Sequence, residues 1–438
     1  MAADRWSSGA GFVLATMGSA IGLGSIWKFP YEAGVNGGGS FILPYLAGLA
    51  LIVVPLLLAE FAIGRAGRGD AIASIGLLAD RAQRSRSWRM VGALGVLTGF
   101  LILSFYAVIG GWALSHACDA LLGGALPSDA PAAQARFEAF LAAPNRMFAF
   151  HLAFMAATAL VVAGGIESGI ETASRILMPL LLALICALAI FSLATGDAKA
   201  ALRFLFEIDP TRLRPRAWLD AMGLGFFSIG VGMGSMITYA AYAGAQTNLG
   251  KVALVTVVGD TAVSILAGLA IFPIVFQFGL DPASGPGLMF VTLPLAFAHM
   301  PFGNIVGFVF YILLVVSALA SAISLLELTV APLIARGLTR LHATALAAFV
   351  CALAGVPSVL SFNLWRGSGI FDGLDTLTSD VMLPLAGLGL ALFAGYVLPK
   401  GLLGAELAMS GAMLGLLRLL LRAIAPALIA AAVLGAWI

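Results

Sequence analysis

The chain has 438 residues, of which 61% are hydrophobic and only 10% are charged, with a formal net charge of +2. Ordinary soluble domains carry about 25% charged residues, so this composition excludes a soluble globular protein and favours helices that face lipid. The charge gives no sign of a nucleic-acid partner. The three scattered cysteines indicate neither a disulfide framework nor a metal site.

Apolar runs of about 20 residues, the length that crosses a bilayer, recur along the chain. We predict an all-α polytopic membrane fold of eleven transmembrane helices, near residues 9–32, 39–64, 90–117, 148–164, 171–194, 217–243, 252–279, 303–335, 341–359, 372–398 and 417–437. The loop after the second span is rich in arginine, from Arg65 to Arg89. Because cytoplasmic loops are enriched in Lys and Arg, the N terminus is expected in the cytoplasm. Because the chain contains no glycosylation sequon, we expect it in the inner (plasma) membrane of a bacterium.

Glycine clusters interrupt two of the predicted spans. One lies at Gly18–Gly24 in span one, and the other at Gly230–Gly234 in span six, five spans later. Interrupted helices at matching positions of two halves are typical of inverted-repeat transporters, because unwound backbone within a membrane must line a polar cavity. The alternative is that these glycines only allow helices to pack closely.

Few ionisable residues fall inside the predicted spans, and such residues tend to mark function. They are Lys28, Glu60, Asp260, Glu327 and Asp380. Asp260 stands in an apolar stretch, where its carboxylate could bind an alkali cation or carry a proton; a structural pairing is the third interpretation. Glu60 and Glu327 are expected to accept hydrogen bonds from the broken backbone of nearby spans, and direct ion binding is the alternative.

No catalytic motif is present, and we expect no enzyme. The sequence contains no G-x-S-x-G, no H-E-x-x-H and no phosphate-binding loop. The histidines at 116, 151, 299 and 342 are dispersed near the predicted span ends. We therefore expect them at the membrane interfaces rather than as ligands.

The glycine clusters belong to longer motifs that run along the chain. These motifs are Arg5–Ser8, Gly18–Gly24, Trp27–Tyr31, Asn36–Gly39, Pro55–Glu60, Gly64–Arg65, Thr238–Tyr239 with Tyr242, Ala267–Gly268 and Ser321–Glu327. In them the chain closely resembles the neurotransmitter:sodium symporter family over essentially its whole length. The resemblance implies a LeuT-type inverted repeat of five plus five helices with helices one and six broken. The repeats would occupy 1–195 and 196–398, and 399–438 would add a cytoplasmic segment and the eleventh helix.

Members of that family bind an amino acid or related amine midway across the membrane, and the resemblance implies where. The substrate carboxylate would meet the amides of Leu23 and Gly24 and the hydroxyl of Tyr106. Its ammonium would meet carbonyls near Ala20, Phe227 and Ser228. The other predicted contacts surround the side chain: Ser19, Ile102, Phe227, Gly230, Met233, Ser321 and Leu325. Since this lining is largely apolar and uncharged, we expect a hydrophobic L-amino acid, with room for an aromatic one.

The resemblance also implies two sodium sites and two gates. The predicted first site comprises the carbonyl of Ala20 and the side chains of Ser25, Ser228 and Asp260. The predicted second site comprises the carbonyls of Gly18, Ile21 and Ser317 and the hydroxyl of Ser321, with position 320 as the usual further hydroxyl. Tyr106 and Phe227 would cover the substrate as an aromatic lid, and Lys28 with Asp375 would close the outer gate as an ion pair.

Several positions depart from the family pattern. Ser25 and Asp260 stand where asparagines are usual, and Ala320 replaces a threonine and so removes one oxygen from the second sodium site. At the inner gate, Arg5 adjoins Trp6 instead of preceding it by a few residues, and its expected acidic partner is Ala335. The inner gate is therefore expected to be built without the usual ion pair.

We predict a sodium-coupled symporter that works by alternating access around a mid-membrane site. One sodium ion is expected and a second is left open. No chloride requirement is expected, because Asp260 supplies a fixed negative charge. The alternatives are a proton-coupled transporter, an uncoupled transporter and a substrate sensor of the same fold. The expected partners are the amino acid and the lipid bilayer, and the sequence does not indicate an oligomeric state.

Overall fold

The described part of the chain is built of helices; in this computed structural model it comprises residues 5–435 except 125, 210, 212, 214, 215 and 283–286. The first half contains α1 (Gly9–Ala20), α2 (Gly24–Val35), α3 (Gly39–Gly67), α4 (Ala71–Arg81), α5 (Arg86–Leu121), α6 (Ala130–Leu141), α7 (Pro144–Ala163), α8 (Ile166–Thr195) and α9 (Ala198–Phe206). The second half contains α10 (Ala217–Ile229), α11 (Ser235–Ala241), α12 (Leu249–Gln277), α13 (Leu288–Ala298), α14 (Gly303–Ala335), α15 (Arg340–Leu360), α16 (Ile370–Val397), α17 (Lys400–Leu407) and α18 (Gly411–Leu434).

Nine of the described helices are long and apolar enough to cross a membrane, and α1 with α2 forms a further span that bends by 49°. The predicted sixth span consists of α10 and α11, which have 13 and 7 residues and are each too short to cross alone. Counted as one broken span, they give the predicted eleven. The all-α polytopic fold is confirmed, with both interruptions at the glycine clusters.

Five short helices lie where the sequence predicts only loops, namely α4, α6, α9, α13 and α17. Three of them begin at an aspartate cap, because Asp70, Asp129 and Asp197 each accept hydrogen bonds from amides of the following turn. A search for apolar runs of bilayer length cannot detect such helices, although their caps are visible in the sequence.

Helices α5 and α14 form the centre of the bundle and pack against each other. In their most apolar stretches 67% and 78% of the residues are buried, against 28% in α18, so α18 lies at the periphery. Both broken spans contact the central helix α14. Helix α1 also packs against α8 and α12, and α11 also packs against α3. The breaks in the two spans are thereby brought to the middle of the bundle.

Two histidines lie inside the bundle. His151 is fully buried, and its Nε2 is 3.1 Å from the carbonyl oxygen of Ala352. His116 is also buried, and its Nδ1 is 2.8 Å from the carbonyl oxygen of Trp112. Neighbouring helices cover both side chains, and their expected position at the level of the membrane interfaces stays a prediction.

Candidate functional site

The two helix breaks face one central cavity. Its walls come from α1, α2, α5, α10 and α14 and the segment between α10 and α11. The lining residues are Ser19, Gly22, Leu23, Gly24, Ile102, Tyr106, Phe227, Ser228, Gly230, Met233, Ser321, Ser324 and Leu325. The cavity thus brings together every predicted substrate contact except Ala20, which is the last residue of α1 and is fully buried beside it. Gly22 and Ser324 are additions to the predicted set.

One end of the cavity carries backbone and phenol groups suited to a carboxylate. The amide of Leu23 donates a hydrogen bond to the hydroxyl of Tyr106 at 3.2 Å. Gly22 is required beside them, because a Cβ there would lie 2.4 Å from Ser321 Oγ and 3.0 Å from the Tyr106 hydroxyl oxygen. Gly24 lets α2 meet α10, since a Cβ at this position would lie 2.8 Å from Cα of Ser228.

A buried carboxylate accepts a hydrogen bond from the unwound backbone between α10 and α11. Gly230, Gly232 and Gly234 have φ values of +73°, +92° and +85°, a region that favours glycine. Glu60 of α3 is fully buried, and its Oε1 accepts a hydrogen bond from the Gly232 amide at 2.5 Å. This confirms the structural function predicted for Glu60.

Glu327 binds two side chains at the end of α14 that is nearer to α15. Its Oε1 accepts a hydrogen bond from the Tyr242 hydroxyl at 3.0 Å, and its Oε2 lies 2.5 Å from Nη1 of Arg340. These side-chain partners connect α14 to α15 and to the residue that follows α11. The predicted hydrogen bonds from broken backbone to Glu327 stay a prediction, although Tyr242 directly follows the broken sixth span.

The predicted first sodium site is a buried cluster of oxygen atoms on α2, α10 and α12. Asp260 is fully buried and accepts hydrogen bonds from Ser25 and, at 2.9 Å to Oδ1, from Ser228. The Tyr45 hydroxyl donates to Oδ2 at 3.1 Å. Asp260 forms no ion pair with any residue that the structure describes. A carboxylate without a cationic partner, surrounded by hydroxyls, suits a hard cation, so the donor set fits sodium.

Tyr45 was not among the predicted site residues. It lies on α3, 215 positions from Asp260, and nothing in the surrounding sequence indicates the contact. Its hydroxyl fixes the orientation of the carboxylate, which is a function that only the packed structure reveals.

The predicted second sodium site is less complete. Ser321 Oγ lies 3.4 Å from the carbonyl oxygen of Gly18, and Ser317 Oγ is buried without a hydrogen-bond partner among the described residues. An unpartnered buried hydroxyl fits a ligand. A Cβ on Gly18 would lie 3.6 Å from the methyl group of Ala320, so a methyl stands beside the carbonyls where the family has an oxygen. Ile21, whose carbonyl completes the predicted set, lies fully buried in the break after α1.

The predicted outer gate lies in a second cavity of about 690 Å³, lined by Lys28, Tyr106, Phe227 and Asp375 among others. Tyr106 and Phe227 line both cavities and so separate them, which is the position expected of a lid. Lys28 Nζ lies 4.6 Å from the centroid of the Phe227 ring. Asp375 accepts a hydrogen bond from Ser379 at 2.8 Å. Lys28 and Asp375 do not form an ion pair in this conformation, and their gate stays a prediction.

Lys28 also lines a third cavity, which is rich in acidic groups. Glu32, Asp220 and Asp380 share it with Arg216, and Arg216 pairs with Asp220 at 3.3 Å. Lys28 is therefore placed between two acidic regions, of which only the one containing Asp375 was predicted.

The N-terminal segment closes the predicted cytoplasmic end. Trp6 Nε1 donates to the carbonyl oxygen of Tyr239 at 2.9 Å. The Ser7 amide donates to Glu171 Oε2 at 2.7 Å, and Glu171 pairs with Arg175 at 2.6 Å. We call Trp6, Ser7, Glu171 and Arg175 the N-terminal latch. A closure without the usual ion pair was expected, but Glu171 and Arg175 were missed, although an acid and a base one helical turn apart are visible in the sequence.

Comparisons with known proteins agree with this architecture. Residues 3–129 and 145–435 match the model of the sodium:neurotransmitter symporter family. An uncharacterized sodium-dependent transporter, YhdH of Bacillus subtilis, is 38% identical over 92% of this chain and 90% of its own. One from Haemophilus influenzae is 31% identical over 90% of this chain and 89% of its own.

A solved structure gives a closer similarity. The crystal structure of MhsT in complex with L-phenylalanine has a TM-score of 0.91 and 43% identity, over 99% of both chains. This chain therefore belongs to the sodium:neurotransmitter symporter family, whose members are multi-pass membrane transporters.

Proposed function

We propose that this chain is a sodium-coupled symporter of a hydrophobic L-amino acid, with aromatic side chains included. The observation that carries the proposal is that a largely apolar cavity at two helix breaks adjoins a buried, unpaired carboxylate, Asp260. The amide of Leu23 and the hydroxyl of Tyr106, which lie 3.2 Å apart, would receive the substrate carboxylate. No charged side chain lines the cavity within the described residues, which favours an uncharged substrate side chain.

The same geometry accounts for coupling. A sodium ion held by Asp260, Ser25, Ser228 and the carbonyl of Ala20 would place a positive charge beside the substrate carboxylate, since Ser228 belongs to both sets of residues. Each ligand would then raise the affinity for the other by the same factor, because binding linkage is reciprocal. That reciprocity is the thermodynamic basis of symport.

The oxygen atoms present support one strong sodium site. The first site has a full carboxylate, whereas the second has only hydroxyls and carbonyls and a methyl group at Ala320. We therefore propose one tightly coupled sodium ion. We also propose that transport is independent of chloride, because Asp260 already supplies the negative charge that a bound anion would provide.

A related structure supports the proposed substrate class, and the sequence supports the proposed orientation in the membrane. MhsT was crystallised with L-phenylalanine, which supports a hydrophobic substrate here. The arginines between Arg65 and Arg89 support a cytoplasmic N terminus, with the transporter in the inner (plasma) membrane. In that orientation the N-terminal latch would close the cytoplasmic path to the cavity.

The proposal is tested by uptake of labelled leucine, methionine, phenylalanine and tryptophan into proteoliposomes at fixed pH. With an inward sodium gradient, we expect at least one of them to accumulate above its external concentration, and replacing sodium by choline should abolish the accumulation. Uptake that only equilibrates would indicate an uncoupled transporter, and binding without flux would indicate a sensor. Accumulation driven by a pH gradient without sodium would indicate proton coupling through Asp260.

A further inference from the structure

Three of the serine hydroxyls that line the central cavity belong to one hydrogen-bonded cluster. They belong to Ser19 of α1 and to Ser321 and Ser324 of α14. Ser19 and Ser324 are 8% and 2% exposed, so water gives them little solvation. What these hydroxyls offer to a substrate therefore depends on the bonds that they already make within the protein.

Each of the three hydroxyl protons is already engaged by a protein acceptor. Ser324 Oγ donates to the carbonyl oxygen of Ser321 at 2.7 Å, and Ser19 Oγ donates to Ser324 Oγ at 2.8 Å. Ser321 Oγ donates to the carbonyl oxygen of Ser19 at 3.1 Å. A serine hydroxyl has one proton and two lone pairs, so this chain of bonds ends at Ser19 Oγ. No described residue donates a hydrogen bond to that oxygen, and the cavity presents acceptors rather than donors at this point.

Acceptors of this kind discriminate between apolar side chains of similar shape. A buried acceptor that loses water without gaining a donor is unfavourable, and a site built to hydrogen-bond a substrate group disfavours an analogue that lacks it. The indole N–H of tryptophan is a donor only, whereas the phenol of tyrosine brings an acceptor that would need a further donor. Met233, with its flexible thioether side chain, lies between Gly232 and Gly234 on the same cavity and can adapt to a large ring.

We propose that Ser19 Oγ is a specificity-determining acceptor that selects amino acids whose large apolar side chain carries a single N–H donor, tryptophan first. This inference rests on the proposed function, because it takes the amino-acid carboxylate to bind at Leu23 and Tyr106. The substrate side chain would then share the cavity with Ser19 and Ser324.

The test uses two ligands that differ in the donor alone. L-tryptophan and 3-(benzothiophen-3-yl)-L-alanine have nearly the same shape, but a sulfur atom replaces the indole N–H in the second. Dissociation constants are measured for the purified full-length protein in sodium chloride, by competition with labelled phenylalanine. We expect tryptophan to bind about two- to tenfold more tightly, which is the usual net value of one hydrogen bond.

Two variants identify the residue responsible. Ser19→Ala removes the acceptor and should bring the ratio of the two dissociation constants close to one. Ser104→Ala is the matched control, because Ser104 is a buried serine whose hydroxyl bonds to the carbonyl oxygen of Leu101, outside the cavity. It should keep the wild-type ratio. A ratio that persists in Ser19→Ala would overturn the assignment.

The ligand pair also separates the two proposals. If phenylalanine binds with sodium but tryptophan and its sulfur analogue bind equally well to the wild type, the specificity inference is overturned alone. If none of the three ligands binds in sodium, the proposed function is overturned and the inference with it.

Discussion

The substitution Asp260→Asn tests the sodium site most directly. It keeps the shape of the side chain and one acceptor oxygen for Ser25, Ser228 and Tyr45, but it removes the negative charge. We expect the sodium affinity to fall strongly. In the absence of sodium, the variant should be at least as stable as the wild type, because it no longer buries an unpaired carboxylate.

The magnitude follows from the burial of the site. Opposite unit charges about 4 Å apart attract by about 4 kcal/mol at an effective dielectric constant of about 20. The amide oxygen retains part of this attraction as a dipole, so we expect a loss of about 2–4 kcal/mol. At about 1.4 kcal/mol for each factor of ten, the half-saturating sodium concentration should rise roughly 30- to 700-fold.

The assay is a sodium titration of the thermal unfolding midpoint at constant ionic strength, balanced with choline, with and without the amino acid. Asp80→Asn serves as the control, since Asp80 lies on α4 with an exposed carboxylate that pairs with Arg86; it should leave the titration unchanged. An Asp260→Asn variant that keeps the wild-type sodium midpoint would refute the assignment of the charge to this site.

Three further predictions follow from the same geometry. Asp260→Asn should make uptake depend on chloride, whereas wild-type uptake should be equal in chloride and gluconate; a wild-type loss in gluconate would contradict this. Ala320→Thr should restore an oxygen to the second sodium site and raise the Hill coefficient for sodium in uptake from near one towards two, and an unchanged coefficient would show that the site is not rebuilt. Glu171→Gln should weaken its bonds from Ser7 and Arg175, each worth about 1.5–3 kcal/mol before solvent screening, and so speed hydrogen exchange of residues 5–12, measured by mass spectrometry. Unchanged exchange would show that the N-terminal latch does not hold this segment.

The fold could be predicted because its determinants are local. Runs of apolar residues define the spans, and the span predicted at 303–335 coincides with α14. The break in span six was visible because backbone with positive φ favours glycine, as at Gly230–Gly234. The break in span one was visible because glycines allow close approach there, as at Gly24 beside Ser228. The short helices α4, α6 and α9 were missed because they lie outside the apolar runs, where only a capping aspartate indicates a helix.

The site was predictable only in part. The residues that line the central cavity came from the family resemblance and not from periodicity, since nothing local distinguishes Ile102 or Leu325 from other buried residues. The contacts of Tyr45 with Asp260 and of Ser7 with Glu171 join residues 215 and 164 positions apart. Such pairs depend on how helices pack, and one sequence does not specify which distant side chains meet.

The hydrogen bond between Glu60 and Gly232 has a consequence for how the protein is made. Neither α10 nor α11 reaches the roughly 20 residues that a membrane crossing requires, and the backbone between them needs a partner within the bundle. We therefore expect a nascent sixth span to be less stable in lipid alone than when the carboxylate of Glu60 is available to its unwound backbone. Since α3 precedes α10 in the chain, the order of synthesis provides that partner before the sixth span is made.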